Sequence, residues 1–118
     1  MADTELTGYW KGVGVSRTLQ TVVHVYLEQS GSELSGRFEA PELPSGNNKG
    51  EVTGSVDGNR VTLRSPEGIE LLGEVAGQTR ADQIIHGVMQ SAEEKRAEGT
   101  LTLFRREGGR FSTVMYRM

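Results

Sequence analysis

Cysteine is absent from the 118 residues. That excludes a disulfide framework, a thiolate metal site and a cysteine nucleophile. Proline occurs only three times against sixteen glycines, so the chain bends mostly at glycine. No apolar run approaches the roughly 20 residues that cross a bilayer as a helix. The opening Met1-Ala2-Asp3-Thr4-Glu5 is acidic and lacks the basic start and apolar run of a secretion signal. The expectation is a soluble, cytoplasmic chain without membrane attachment. The net charge of -3 argues against a dedicated nucleic-acid binder. No segment carries an apolar stripe at helical spacing. Ser91 to Glu98 has good helix formers but no such stripe, and reads as a charged loop.

What is present is a short pattern used four times: apolar, any, Gly, any, apolar. It reads Leu34-Ser35-Gly36-Arg37-Phe38, Val52-Thr53-Gly54-Ser55-Val56, Leu71-Leu72-Gly73-Glu74-Val75 and Ile85-His86-Gly87-Val88-Met89. A related form follows Trp10, with Gly12 and Gly14. Strand side chains alternate between faces, so each glycine shares a face with its two apolar neighbours. Glycine within a strand costs stability, and a sharp bend or close approach is its usual reason. A sheet curling into a small barrel needs such bends on its inner face.

Strands are expected at about residues 8–17, 20–28, 33–40, 50–56, 60–65, 69–76, 83–90 and 99–106, with a further one at 111–116. Short turns such as Ser30-Gly31-Ser32 and Asp57-Gly58-Asn59 separate several of them. The connection from Pro41 to Lys49 is long. Nearest-neighbour antiparallel pairing follows, so the fold class is all-β: a single-domain up-and-down barrel of about eight strands over residues 8–118, after a tail at 1–7. The 35% hydrophobic content is low for a layered α/β fold and suits a single-layer barrel. An open sandwich and a five-stranded OB-fold are the competing architectures.

The glycines set the inward register. Trp10, Val23, Val25, Leu27, Leu34, Phe38, Val52, Val56, Val61, Leu63, Ile69, Leu71, Val75, Ile85, Met89, Leu101 and Leu103 face in with the glycines, and no charge stands among them. Such an interior packs on itself or takes an apolar ligand. Close packing favours the filled form. Outside, Val22, His24 and Tyr26 on one strand and His86 and Val88 on another form a part-apolar set. Such a set suits a protein contact, including one with a second copy.

Gly8-Tyr9-Trp10, then Ser16, then Leu34-Ser35-Gly36-Arg37-Phe38-Glu39-Ala40 resembles the avidin and streptavidin family. That family begins its first strand with Gly-x-Trp and carries a later glycine-bearing strand of this form. The resemblance implies a meander barrel. It places Ser16 at a ligand-contacting position. It also sets Gly12 where the family has Asn, and Phe38 where the family has the Tyr that meets the biotin ureido oxygen. The family surrounds biotin with several tryptophans, whereas this chain has one. The barrel is carried over and biotin binding is not.

Catalytic and metal chemistry find little support. Gly12-Val13-Gly14-Val15-Ser16 leads into another strand, whereas a nucleophile elbow and a phosphate loop both need a following helix. His24, His86 and Asp82 form the one conceivable metal set, without the short spacing of a ligand pair. Glu67 and Glu70, and Glu93 and Glu94, read as solvated carboxylates beside loops. Arg105, Arg106, Arg110 and Arg117 interleave with Phe104, Phe111 and Tyr116, as in single-strand nucleic-acid binders, but more simply as a charged barrel edge. No cofactor, metal or catalytic residue is expected. The reading is a non-enzymatic binding or interaction module that self-associates. The alternative is a carrier of a small apolar ligand held near Trp10, Ser16, Phe38 and Met89. An enzyme using the long loop is a third.

Overall fold

A computed structural model describes residues 5–17, 20–41, 49–66, 68–77, 83–91, 93 and 97–106. Eight strands follow one another: β1 (Gly8–Ser16), β2 (Gln20–Ser30), β3 (Glu33–Glu39), β4 (Lys49–Asp57), β5 (Arg60–Arg64), β6 (Ile69–Ala76), β7 (Ile84–Ser91) and β8 (Ala97–Arg105). Each pairs antiparallel with its sequence neighbours, and β8 pairs with β1 to close the barrel. The expected ninth strand at 111–116 and most of the Pro41–Lys49 loop lie outside the described residues.

Closure depends on strands approaching closely at glycine. A Cβ at Gly12 would lie 1.7 Å from the Thr102 carbonyl oxygen across the β1–β8 seam. A Cβ at Gly54 would lie 1.8 Å from that of Thr62. No side chain fits at such distances, which is the physical reason for glycine on the inner face. At Gly58 the reason differs. It sits at φ 63° in the β4–β5 turn, a left-handed conformation that glycine adopts at little cost.

The inward register agrees with the glycine pattern. Trp10, Leu27, Val61, Ile85 and Leu103 are fully buried, with Val25, Leu34, Val56, Leu71 and Leu101 beside them. Leu6 joins them at 0% exposure, so part of the segment read as a tail belongs to the core. Its backbone N–H donates to Gln29 Oε1 at 2.8 Å, and its carbonyl accepts from Trp10 Nε1 at 3.1 Å.

Two charged residues depart from expectation. Arg105, read as part of a solvated barrel edge, is 5% exposed. Its guanidinium carbon lies 4.6 Å from the centre of the Trp10 ring. It donates to Thr7 O and Glu5 O, both at 2.7 Å, and to Gln83 Oε1 at 2.9 Å. Arginine suits this place because one planar fork can stack and donate in several directions. Glu70, read as a solvated carboxylate, is 3% exposed. Its Oε2 accepts from Arg64 Nε and Nη2 at 3.1 and 2.7 Å, and its Oε1 from Gln90 Nε2 at 3.0 Å. Burial of a carboxylate is tolerable only with partners of this kind.

Candidate functional site

The barrel has two unlike ends. One is a floor, where Leu6, Trp10, Leu27, Val61, Ile85 and Leu103 are the largest fully buried side chains. None of these lines the cavity that occupies the other half of the interior, a space of about 490 Å³. Its walls are Val23 and Val25 from β2, Phe38 from β3, Val52 from β4, Leu63 from β5, Leu71 from β6, Met89 from β7 and Leu101 from β8. Gly14 and Ala40 contribute almost no side chain to it. Polar groups gather at the rim: Ser16, Thr21, Arg64, Ser65 and Glu98.

The expectation of a filled interior is therefore corrected. Trp10 and the other fully buried side chains fill the floor, while Gly14, Ala40, Val23, Val25 and Val52 leave room in the upper half that Leu63, Ile69, Leu71 and Leu101 do not fill. Phe38 and Met89 also line this space, and both are only partly buried. A void this size lined by apolar groups forfeits dispersion contacts, and it falls within the range of small-ligand sites.

Of the residues singled out from the sequence, the structure brings Ser16, Phe38 and Met89 together around this cavity. Trp10 is not with them. It lies in the floor, fully buried beneath Arg105. Sequence reasoning missed Arg64 and Glu98, which stand at the rim. Their positions at strand ends were legible, but a strand end becomes a rim only when all strands close around one space.

The outward set is partly assembled. Around the wall the order is β7, β8, β1, β2, and register links His86 to Thr102, Thr102 to Val13 and Val13 to Val22. His86 and Val22 thus share one row. His86 Nδ1 and Thr102 Oγ1 are 2.7 Å apart. The next row runs Leu72, Val88, Thr100, Val15, and its three aliphatic members are each over 40% exposed. His24 lies apart, 5% exposed, its ring stacked on Tyr9 and its Nδ1 2.8 Å from the Tyr9 hydroxyl. Burial lowers its pKa below the ordinary 6.5, nearby Lys11 lowers it further, and Glu39 opposes both. Tyr26 is half-buried. Among the described residues no group of three or more His, Asp or Glu is placed to hold a metal ion; Asp82 lies outside them.

No family model and no curated protein matches this sequence. Among solved structures, the chain is similar to a de novo designed fluorescence-activating β-barrel, with a TM-score of 0.58 at 16% identity. The match covers 90% of this chain and 100% of the designed one. At that identity the likeness is one of fold: an eight-stranded antiparallel barrel.

Proposed function

We propose that this chain is a non-catalytic binding module that carries a small, mainly apolar ligand in the upper half of its barrel. The observation that carries the reading is the division of the interior. One half is filled by the largest fully buried side chains; the other holds about 490 Å³ of apolar-walled space with hydroxyls and two charges at its rim. An apolar ligand would restore the lost contacts, and a polar end would stay among Ser16, Thr21 and Ser65. The designed barrel is a fluorescence-activating one, and its likeness supports a barrel of this kind as a workable container. The avidin resemblance adds the barrel alone. The Phe38 ring has no hydroxyl for a ureido oxygen, and the single tryptophan is in the floor.

The test is titration with 1-anilinonaphthalene-8-sulfonate, together with native mass spectrometry of protein purified without refolding. Saturation at one dye per chain, lost in a folded Met89→Lys variant, is the expected result. A folded wild-type chain that shows no saturable binding overturns the reading.

A second reading, self-association, rests on the outer wall. The rows through Val22, Val13, Thr102 and His86 and through Val15, Thr100, Val88 and Leu72 contain no Lys, Arg, Asp or Glu. The face of β3 and β4 instead carries Glu33, Arg37, Glu39, Lys49, Glu51 and Asp57. A second copy meeting the uncharged face across a two-fold axis would bring no like charges together. Four strands about 4.8 Å apart and two rows about 6.8 Å apart give roughly 260 Å² per copy. That is about a third of a standard partner surface, so the dimer would be weak. Sedimentation velocity should show concentration-dependent dimers that Val88→Lys abolishes. A wild type monomeric at every concentration removes this reading.

A further inference from the structure

The inward glycines are not equivalent. At Gly12, Gly36, Gly54 and Gly87 a Cβ would fall 1.7–2.2 Å from a backbone carbonyl oxygen of the adjacent strand. At Gly73 the nearest such oxygen is at 2.9 Å. Gly14 differs in kind. A Cβ there would meet only side-chain atoms at ordinary contact distance: Met89 Cε and Val23 Cγ2 at 3.6 Å and Leu101 Cδ1 at 3.7 Å. Its φ is not among the positive values found for glycines of this chain. Neither close backbone approach nor backbone conformation requires glycine at this position, in the middle of a strand where glycine is unfavourable. Gly14 also lines the cavity.

We infer that Gly14 sets the capacity of the cavity: its missing side chain is space held for the ligand, and an apolar group of that ligand lies on the cavity side of its Cα. The inference rests on the carrier reading above. A Cβ at this position would stand in ordinary contact with three side-chain carbons 3.6–3.7 Å away, so the wall admits a side chain here without backbone movement, and whatever it adds is taken from the cavity that Gly14 lines. The ligand class is an apolar compound with a polar end at the rim, and n-alkanols of graded length measure the space it has. Alanine at this position would add one carbon to the wall and valine three, each at the expense of the ligand.

The experiment is calorimetric titration of the wild type, Gly14→Ala and Gly14→Val with n-alkanols from hexanol upward. Thermal melts are run in parallel, with Gly12→Ala as the control for a glycine that structure requires. Each buried methylene should strengthen wild-type binding about fourfold until the cavity is full. The chain length at which affinity levels off should shorten by about one carbon in Gly14→Ala and about three in Gly14→Val, following the carbons each adds, while the shortest alkanols bind as before. Gly14→Ala should melt at or above the wild-type temperature, and Gly12→Ala well below it. A levelling-off point that does not move in either folded variant overturns the role of Gly14 and leaves the carrier reading standing. So does a Gly14→Ala chain as destabilised as Gly12→Ala, because the glycine is then structural. If the folded wild type binds no alkanol and no dye, the carrier reading falls and this inference with it.

Discussion

At the scale of single residues, distance to the neighbouring strand decides what a side chain may be. Gly12 faces a carbonyl oxygen that a Cβ would overlap. Gly12→Ala should therefore destabilise the barrel by more than about 3 kcal/mol in urea unfolding, in the range of core overpacking with backbone strain. His24 provides a residue-scale prediction of another sort. Burial holds its folded pKa below 6.5, so below that value the unfolded chain binds a proton that the folded chain resists. Its contribution to stability is complete above pH 6.5 and declines as pH falls from there toward the folded value. Urea midpoints measured from pH 8 to 5 should fall across that window, and His24→Gln should flatten the fall. Parallel curves for the two proteins would show that His24 stays unperturbed.

The strand is the scale at which charge and alternation compete. On β6, alternation sends Leu71 and Val75 inward and Glu70 outward, yet Glu70 ends as buried as they are. The reason is cross-strand pairing: β5 sets Arg64 opposite Glu70, and β7 sets Gln90 opposite it on the other side. Arg64 is itself 58% exposed along its side chain, so most of the cost of losing it would fall on the carboxylate left behind. Arg64→Ala should lower stability by about 1–3 kcal/mol. A change within a few tenths in chemical denaturation would mean that Glu70 finds equal partners elsewhere. Strand existence was legible from the repeated glycine pattern, and all eight expected strands are present with ends displaced by a residue or two. The burial of Glu70 was not legible, since it depends on what two other strands place beside it.

At the scale of the whole molecule, packing is uneven by design of the sequence along each strand. Bulk gathers toward the floor, in Trp10, Leu27, Ile85 and Leu103, and thins toward the rim at Gly14, Ala40, Val23 and Val52. Leu103→Ala in the fully buried floor should cost about 2–5 kcal/mol. Met89→Ala at the cavity wall should cost less than half as much, because Met89 already lacks neighbours on one side. Equal losses in thermal or urea unfolding would mean that the upper half is closed and packed in solution. Arg105 joins this scale to the first. It ties the segment at Glu5 and Thr7 over Trp10 and so completes the floor.

Strand number, inward register and the turn positions were determined by the sequence alone, because alternation and glycine spacing are local properties that each strand carries by itself. The tertiary structure decided the rest. Whether a barrel is full or hollow depends on the sum of side chains converging from eight strands at one height, and no single strand contains that sum. The separation of Trp10 from Phe38, the arrival of Arg64 and Glu98 at one rim, and the alignment of Val22 with His86 around the wall all follow from closure between β8 and β1. That contact spans nearly the whole described chain.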